Sequence, residues 1–316
     1  MGPVSEPVPT SGLPGRRPRR RGRLARFTAA FAVLLGLAAY VAVHYVTGGK
    51  GAPRCTVGSG KTTYEFTPEQ ASNAATISAV GTTRGLPERA VAIALATALQ
   101  ESALRNIQHG DRDSLGLFQQ RPSMGWGTPE QILDPVYSSG KFYEHLEEVP
   151  GYSRLPLTVA AQKVQRSGFP QAYAKHEPDA MLLAAALTGR AGASLSCTTR
   201  PGDGRPGDAA QVRDELVRTF GKDLNPTALA GTSAGRSAAG APAGAVVSVP
   251  VRETSVPAEQ RGWELANWAV ARAESLRVDE VAYAGRVWRA GDNAGAWMKA
   301  AAGDSSPGTV RIRVAP

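Results

Sequence analysis

The stretch that most limits what this chain can become is 27–46, FTAAFAVLLGLAAYVAVHYV, twenty residues with no formal charge unless His44 protonates. A helix of that length matches the thickness of a bilayer core, so the run predicts a single transmembrane helix. Arg16, Arg17, Arg19, Arg20, Arg21, Arg23 and Arg26 crowd its N-terminal side and no comparable cluster follows it. That asymmetry predicts a cytoplasmic N-terminus, with everything after the span outside the cell membrane. A cleaved signal peptide fits less well, because the apolar run is long and Thr47-Gly48-Gly49-Lys50 offers no A-x-A-like site.

The same arginines decide how to read the charge. With Glu6 they place +6 of the formal +9 in the first 26 residues, which leaves +3 for the remainder. A basic surface for nucleic acid is therefore not expected on the folded part. Only two cysteines occur, Cys55 and Cys197, and both lie on the expected outer side. They bracket one segment, so a disulfide tying its ends is expected in an oxidising compartment, two unpaired buried thiols being the alternative.

Helix starts are easy to find beyond the span. Thr67-Pro68-Glu69-Gln70 and Thr128-Pro129-Glu130-Gln131 are capping-box patterns with proline at the first helical position. Ala-, Val- and Leu-rich stretches at 87–105, 129–148, 156–167 and 178–188 are followed by Gly110, Gly151, Gly168 and Gly189 as stops. Strand-like alternation is scarce over 67–224. Residues 225–245 are mostly Ala, Gly, Ser, Thr and Pro and are expected as a linker. After it, β-like 246–251, a helical 262–276 and short strands at 278–283 and 310–314 predict a small α+β module. The expected organisation is a basic cytoplasmic tail over 1–26, the span over 27–46, a stalk over 47–66, a mainly α domain over 67–224, the linker, and the module over 246–316.

The residues that carry chemistry are Leu99-Gln100-Glu101-Ser102-Ala103-Leu104 and, close behind, Ser114-Leu115-Gly116-Leu117-Phe118-Gln119-Gln120. Glu101 ends an apolar helical stretch, where partial loss of water would favour its protonated form. A protonated carboxyl is what a general acid for a glycosidic oxygen requires. A solvated helix carboxylate would read the same on spacing alone. The E-S-x-L and G-L-F-Q pair, however, resembles the soluble lytic transglycosylase and goose-type lysozyme family. The longer run QESALRNIQHGDRDSLGLFQQRPSMGWGTPEQILDP resembles its actinobacterial, membrane-anchored, wall-associated members.

The resemblance spans roughly 67–189. It implies a lysozyme-like fold and Glu101 as catalytic acid and base. Ser102 and the turn Gly116, Leu117, Phe118 and Gln119 would shape the cleft. Gln162, Gln165 and Tyr173 would contact sugar from a later helix, although the usual Y-N-A-G motif is absent. It also implies peptidoglycan glycan strands as substrate, cleaved between MurNAc and GlcNAc to leave 1,6-anhydro ends. A hydrolytic muramidase of the same fold, or an inactive peptidoglycan-binding or assembly protein, are the alternatives. No metal or organic cofactor is implied.

Other motifs dissolve on inspection. Asp111 and Asp113 could supply the second carboxylate of an inverting hydrolase, but turn stabilisation suits them better. Asp111-Arg112-Asp113-Ser114-Leu115-Gly116 begins like a calcium loop, yet Leu115 and Pro122 stand where ligands are needed. Gly58-Ser59-Gly60-Lys61-Thr62 lacks the first glycine and the strand of a P-loop, and belongs to the expected stalk. The four histidines show no zinc-protease spacing. Gly262–Trp268, Val281–Trp288 and Trp297 resemble a C-terminal domain of actinobacterial wall hydrolases whose last strand often carries H-V-H. Here that strand reads Thr-Val-Arg-Ile-Arg-Val, which cannot hold zinc, so the module is expected to be non-catalytic.

Overall fold

The structure is a computed structural model, and it describes residues 21–47, 52–60, 62–169, 171–200, 204–229, 244–291, 295–301 and 305–316. The chain divides into two compact units, Met1–Gly51 and Ala52–Pro316. Most of the expected basic tail, 1–20 of 1–26, and most of the expected linker, 230–243, lie outside the described residues.

In the first unit, α1 (Arg21–Thr47) is one continuous helix. Among the described residues no helix is long and apolar enough to cross a membrane. This corrects the expected transmembrane helix, and with it the single-pass attachment to the cell membrane and the inside–outside placement built on it. The uncharged run contains six alanines, a glycine, a threonine, a histidine and two tyrosines, and the helix takes Arg21, Arg23 and Arg26 into its first turns.

The second unit begins with a hairpin, β1 (Cys55–Ser59) and β2 (Thr62–Phe66), where a stalk was expected. Gly58 has φ +105°, and a side chain there would meet the Thr62 carbonyl, so the apparent nucleotide-loop glycines serve a strand reversal. Strand β3 (Leu195–Cys197) pairs on the other side of β1, giving an antiparallel sheet in the order β2-β1-β3. Cys55 and Cys197 face each other in that register and form the expected disulfide.

Between these strands come α2 (Pro68–Thr83), α3 (Glu88–Ser102), α4 (Pro129–Ile132), α5 (Pro135–Glu147), α6 (Leu157–Gln165) and α7 (Glu177–Leu187). Both expected capping boxes form: Gln70 N donates to Thr67 Oγ1 and Gln131 N to Thr128 Oγ1, while each glutamine side chain accepts from the cap N–H. The 129–148 helix is split, because Asp134 caps a new start at Pro135 by accepting from Val136 N at 2.8 Å. Helix α3 is central. Every residue from 90 to 99 is buried, and α2, α5, α6 and α7 pack around it, which its alanines permit by letting the helices approach closely.

Helix α8 (Ala209–Phe220) leads into β4 (Thr227–Leu229), which occupies the start of the expected linker. There follow β5 (Val246–Pro250), α9 (Ala258–Ala271), α10 (Ala273–Leu276), β6 (Val278–Tyr283), β7 (Arg286–Arg289), β8 (Met298–Lys299) and β9 (Thr309–Val314). The strands form an antiparallel sheet ordered β4-β5-β9-β6-β7-β8. With 49% helix and 16% strand in two sheets among the described residues, the expectation of a mainly α chain is corrected to mixed α+β.

The C-terminal segment shares the core of the helices in one compact unit. Helix α9 is buried from Gly262 to Ala271 and lies against α2, α7, β3, β6 and β9. Polar contacts fix it there. Asn267 Nδ2 donates to Ala186 O at 2.8 Å and Arg272, at the end of α9, pairs with Glu215 at 2.7 Å; outside the helix, Trp297 Nε1 donates to Leu195 O at 2.8 Å. Glu264 is 1% exposed and hydrogen-bonded by Thr82 and Arg261. Burial pushes its carboxyl above the usual range, against the opposing pull of Arg261 and Thr82. The Arg261 pair lies within α9, and the Thr82 hydrogen bond is the contact that ties Glu264 across to α2.

Candidate active site

Helix α3 ends abruptly just after Glu101 and Ser102. Ala103 and Leu104 both take left-handed backbone, with φ 52° and 58°. For residues carrying a Cβ this costs about 1–3 kcal/mol each, so something must hold the reversal. Helix α2 does so: Gln70 Nε2 donates to Ala103 O and Asn73 Nδ2 to Leu104 O, each at 2.8 Å. The N–H groups of Ala103 and Leu104 return to Leu99 O and Ala98 O. Nothing in the spacing of Gln70 and Asn73 marked them, because their partners are backbone carbonyls some thirty residues away.

The Gly116–Gln119 turn is bound to this helix end. Ser102 Oγ donates to Leu117 O at 2.8 Å, and Gly116 N donates to Ile107 O at 2.8 Å. Leu115 and Gln120 bridge across the base of the turn. Gly116 has φ +74°, and a Cβ there would meet the Ile132 carbonyl. Gln165, the last residue of α6, donates Nε2 to Phe118 O at 2.8 Å. Gln119 Nε2 lies 3.3 Å from Gly116 O, across its own turn.

Tyr173 completes the arrangement. Its ring is fully buried and its hydroxyl donates to Glu101 Oε1 at 2.8 Å. Burial first, then the neighbouring Glu101 charge, push the phenol well above its ordinary pKa, so Tyr173 remains a donor across the working pH range. Glu101 itself is half-buried, and among the described residues its Oε2 accepts no hydrogen bond.

Several expected sugar contacts thus turn inward. Leu117 and Phe118 are fully buried, Phe118 stacking on Phe142 with ring centroids 4.6 Å apart. Gln162 donates Nε2 to Ser167 O at 2.7 Å and braces the loop that precedes Tyr173. Tyr173 is not on α6 but opens the short turn before α7. Glu101, Ser102, Gly116, Gln165 and Tyr173 are joined by side-chain and backbone bonds into one region, whereas Gln119 and Gln162 serve the flanking loops.

The two aspartates are committed elsewhere. Asp111 pairs with Arg121 at 2.9 Å, and Asp113 accepts from Ser123 N at 2.8 Å. Hydrogen bonds from the Ser123 backbone and hydroxyl hold the Asp113 carboxyl below its usual range. On the Tyr173 side, His176 Nε2 lies 3.2 Å from Gln100 Oε1 and burial lowers the imidazole pKa. Among the described residues no cluster of three or more His, Cys, Asp or Glu side chains could hold a metal ion. In β9 the apolar residues Val310, Ile312 and Val314 face the core, and Arg313 pairs with Asp279 and Glu280.

Residues 202–309 match a family model described as VldE, C-terminal domain. The matched part is about a third of the chain and excludes Glu101, Ser102 and Tyr173. No curated protein matches this chain.

Proposed function

We propose that this protein is a peptidoglycan lytic transglycosylase in which Glu101 acts alone as acid and then as base. The observation that carries the reading is a single half-buried carboxyl held by a buried phenol, Tyr173 Oη to Glu101 Oε1 at 2.8 Å, with no second carboxylate free to join it among the motif aspartates. In the first step protonated Oε2 gives its proton to the glycosidic oxygen between MurNAc and GlcNAc, and the bond to the sugar carbon breaks. The charge left on Glu101 is met by the Tyr173 hydroxyl, whose hydrogen bond strengthens as the carboxylate forms. In the second step that carboxylate takes the proton of the MurNAc 6-hydroxyl, whose oxygen closes on the anomeric carbon as a 1,6-anhydro ring.

The resemblance in QESALRNIQHGDRDSLGLFQ supports the substrate class, and the single carboxyl supports transglycosylation over a two-carboxylate hydrolysis. The test is Glu101→Gln, which keeps volume and removes the transferable proton. Turnover of soluble glycan should fall by about the upper end of the 10²–10⁴-fold range typical of general acid–base catalysis, with melting and glycan binding unchanged. Wild-type turnover in that variant would end the proposal.

A further inference from the structure

At the opposite end of α3 from Glu101, the loop after α7 and the first turns of α9 border an open cleft of about 520 Å³, in the size range of small-ligand sites. Arg190, Gly192, Glu259, Gln260, Trp263 and Arg286 line it. Arg190 is locked in a bidentate pair with Glu88, Nε and one terminal nitrogen at 2.7 and 2.8 Å, which makes it a fixed wall. Because Glu88 opens α3 and Glu101 lies thirteen residues on, at about 1.5 Å per residue the two sites are roughly 20 Å apart along the helix.

The floor is the Trp263 indole. Its ring is held edge-on by Tyr283 and Trp297, and it packs so closely on Gly192 that a Cβ there would come within 2.7 Å of the indole nitrogen. Three groups of the lining make no hydrogen bond or ion pair through their side chains among the described residues: the Trp263 N–H, the Arg286 guanidinium and the Glu259 carboxylate. The cleft therefore offers one cation, one neutral donor and one anion on an aromatic floor. A polyanion such as a nucleotide would meet Glu259 as a like charge, and a simple cation would meet Arg286. A ligand bearing both signs satisfies all three.

We propose that this cleft binds a short zwitterionic peptide, its carboxylate on Arg286 and the Trp263 N–H, its amine on Glu259. The site is separate from Glu101 and stands whether or not glycan is cleaved there. The test is isothermal titration of the full-length protein with trialanine, its C-terminal amide, its N-acetyl form and inorganic phosphate. Trialanine should bind, and amidation or Arg286→Ala should each weaken it about tenfold or more, the usual consequence of losing a charge-assisted hydrogen bond. Glu259→Gln should weaken trialanine but leave the N-acetyl form unaffected. Both charged residues are exposed, so their variants should fold normally. Absence of trialanine binding, indifference to Arg286→Ala, or phosphate displacing the peptide at equal concentration would overturn the assignment.

Discussion

Replacing Tyr173 by Phe removes one hydroxyl and nothing else from the candidate site. The ring is fully buried, so Phe preserves its packing. The lost contact is a 2.8 Å hydrogen bond to the carboxyl that the proposed reaction leaves charged. Hydrogen bonds to charged groups contribute about 1.5–3 kcal/mol. If that difference is felt mainly after the proton has left Glu101, it converts at 1.36 kcal/mol per decade into roughly a ten- to 150-fold fall in kcat. KM should move little, because the phenol is turned to Glu101 and not to the sugar. Glu101 is half-exposed, so water can replace the lost donor and stability should hold. Initial rates on soluble glycan over a range of concentrations, with thermal melting as the control, measure all three quantities. A change in kcat below about threefold in a folded Tyr173→Phe protein would show that the bond does not serve the reaction, and the magnitude worked above would be wrong.

Two further outcomes follow from the same contacts. Asp111→Asn and Asp113→Asn keep an acceptor for Arg121 and Ser123 N, so each should cost only a few-fold in glycan turnover; a loss matching that of Glu101→Gln in either would favour a two-carboxylate hydrolase. Cys55→Ser with Cys197→Ser opens a loop with a sequence separation of 142 and should lower unfolding free energy by about 5 kcal/mol in the chain-entropy model, read as a reduced urea midpoint against the oxidised protein.

What could be read in advance divides along a physical line. Helix starts depend on a few adjacent residues, and both TPEQ boxes, the apolar body of α3 and the strands at 246, 278 and 310 stand close to where the sequence put them. Pairings that depend on distant segments were hidden. Residues 55–66 looked like a stalk because each strand is only five residues long and their third partner, β3, begins about 140 residues after Cys55. Helix α9 looked like part of an appended module because nothing in Trp263 or Asn267 names Gly192 or Ala186 as neighbours.

The site shows the same split. The motif points to Glu101, and bracketing points to the Cys55–Cys197 bond, which the structure forms. Tyr173 was expected against sugar but is turned onto the carboxyl, and Gln70 and Asn73, which hold the backbone reversal after Glu101, carried no local signal. The span expected over 27–46 is corrected by the described residues, among which no helix is long and apolar enough to cross a membrane.

The central claim, one carboxyl acting twice on a glycan strand, is tested most directly by mass spectrometry of the muropeptides released from purified peptidoglycan, with Glu101→Gln as the blank. The account predicts products ending in 1,6-anhydro-MurNAc, lighter by one water than their reducing counterparts and absent from the blank. Products with reducing MurNAc ends would contradict the transglycosylase step, and intact glycan after exhaustive digestion by the folded wild-type protein would contradict cleavage itself.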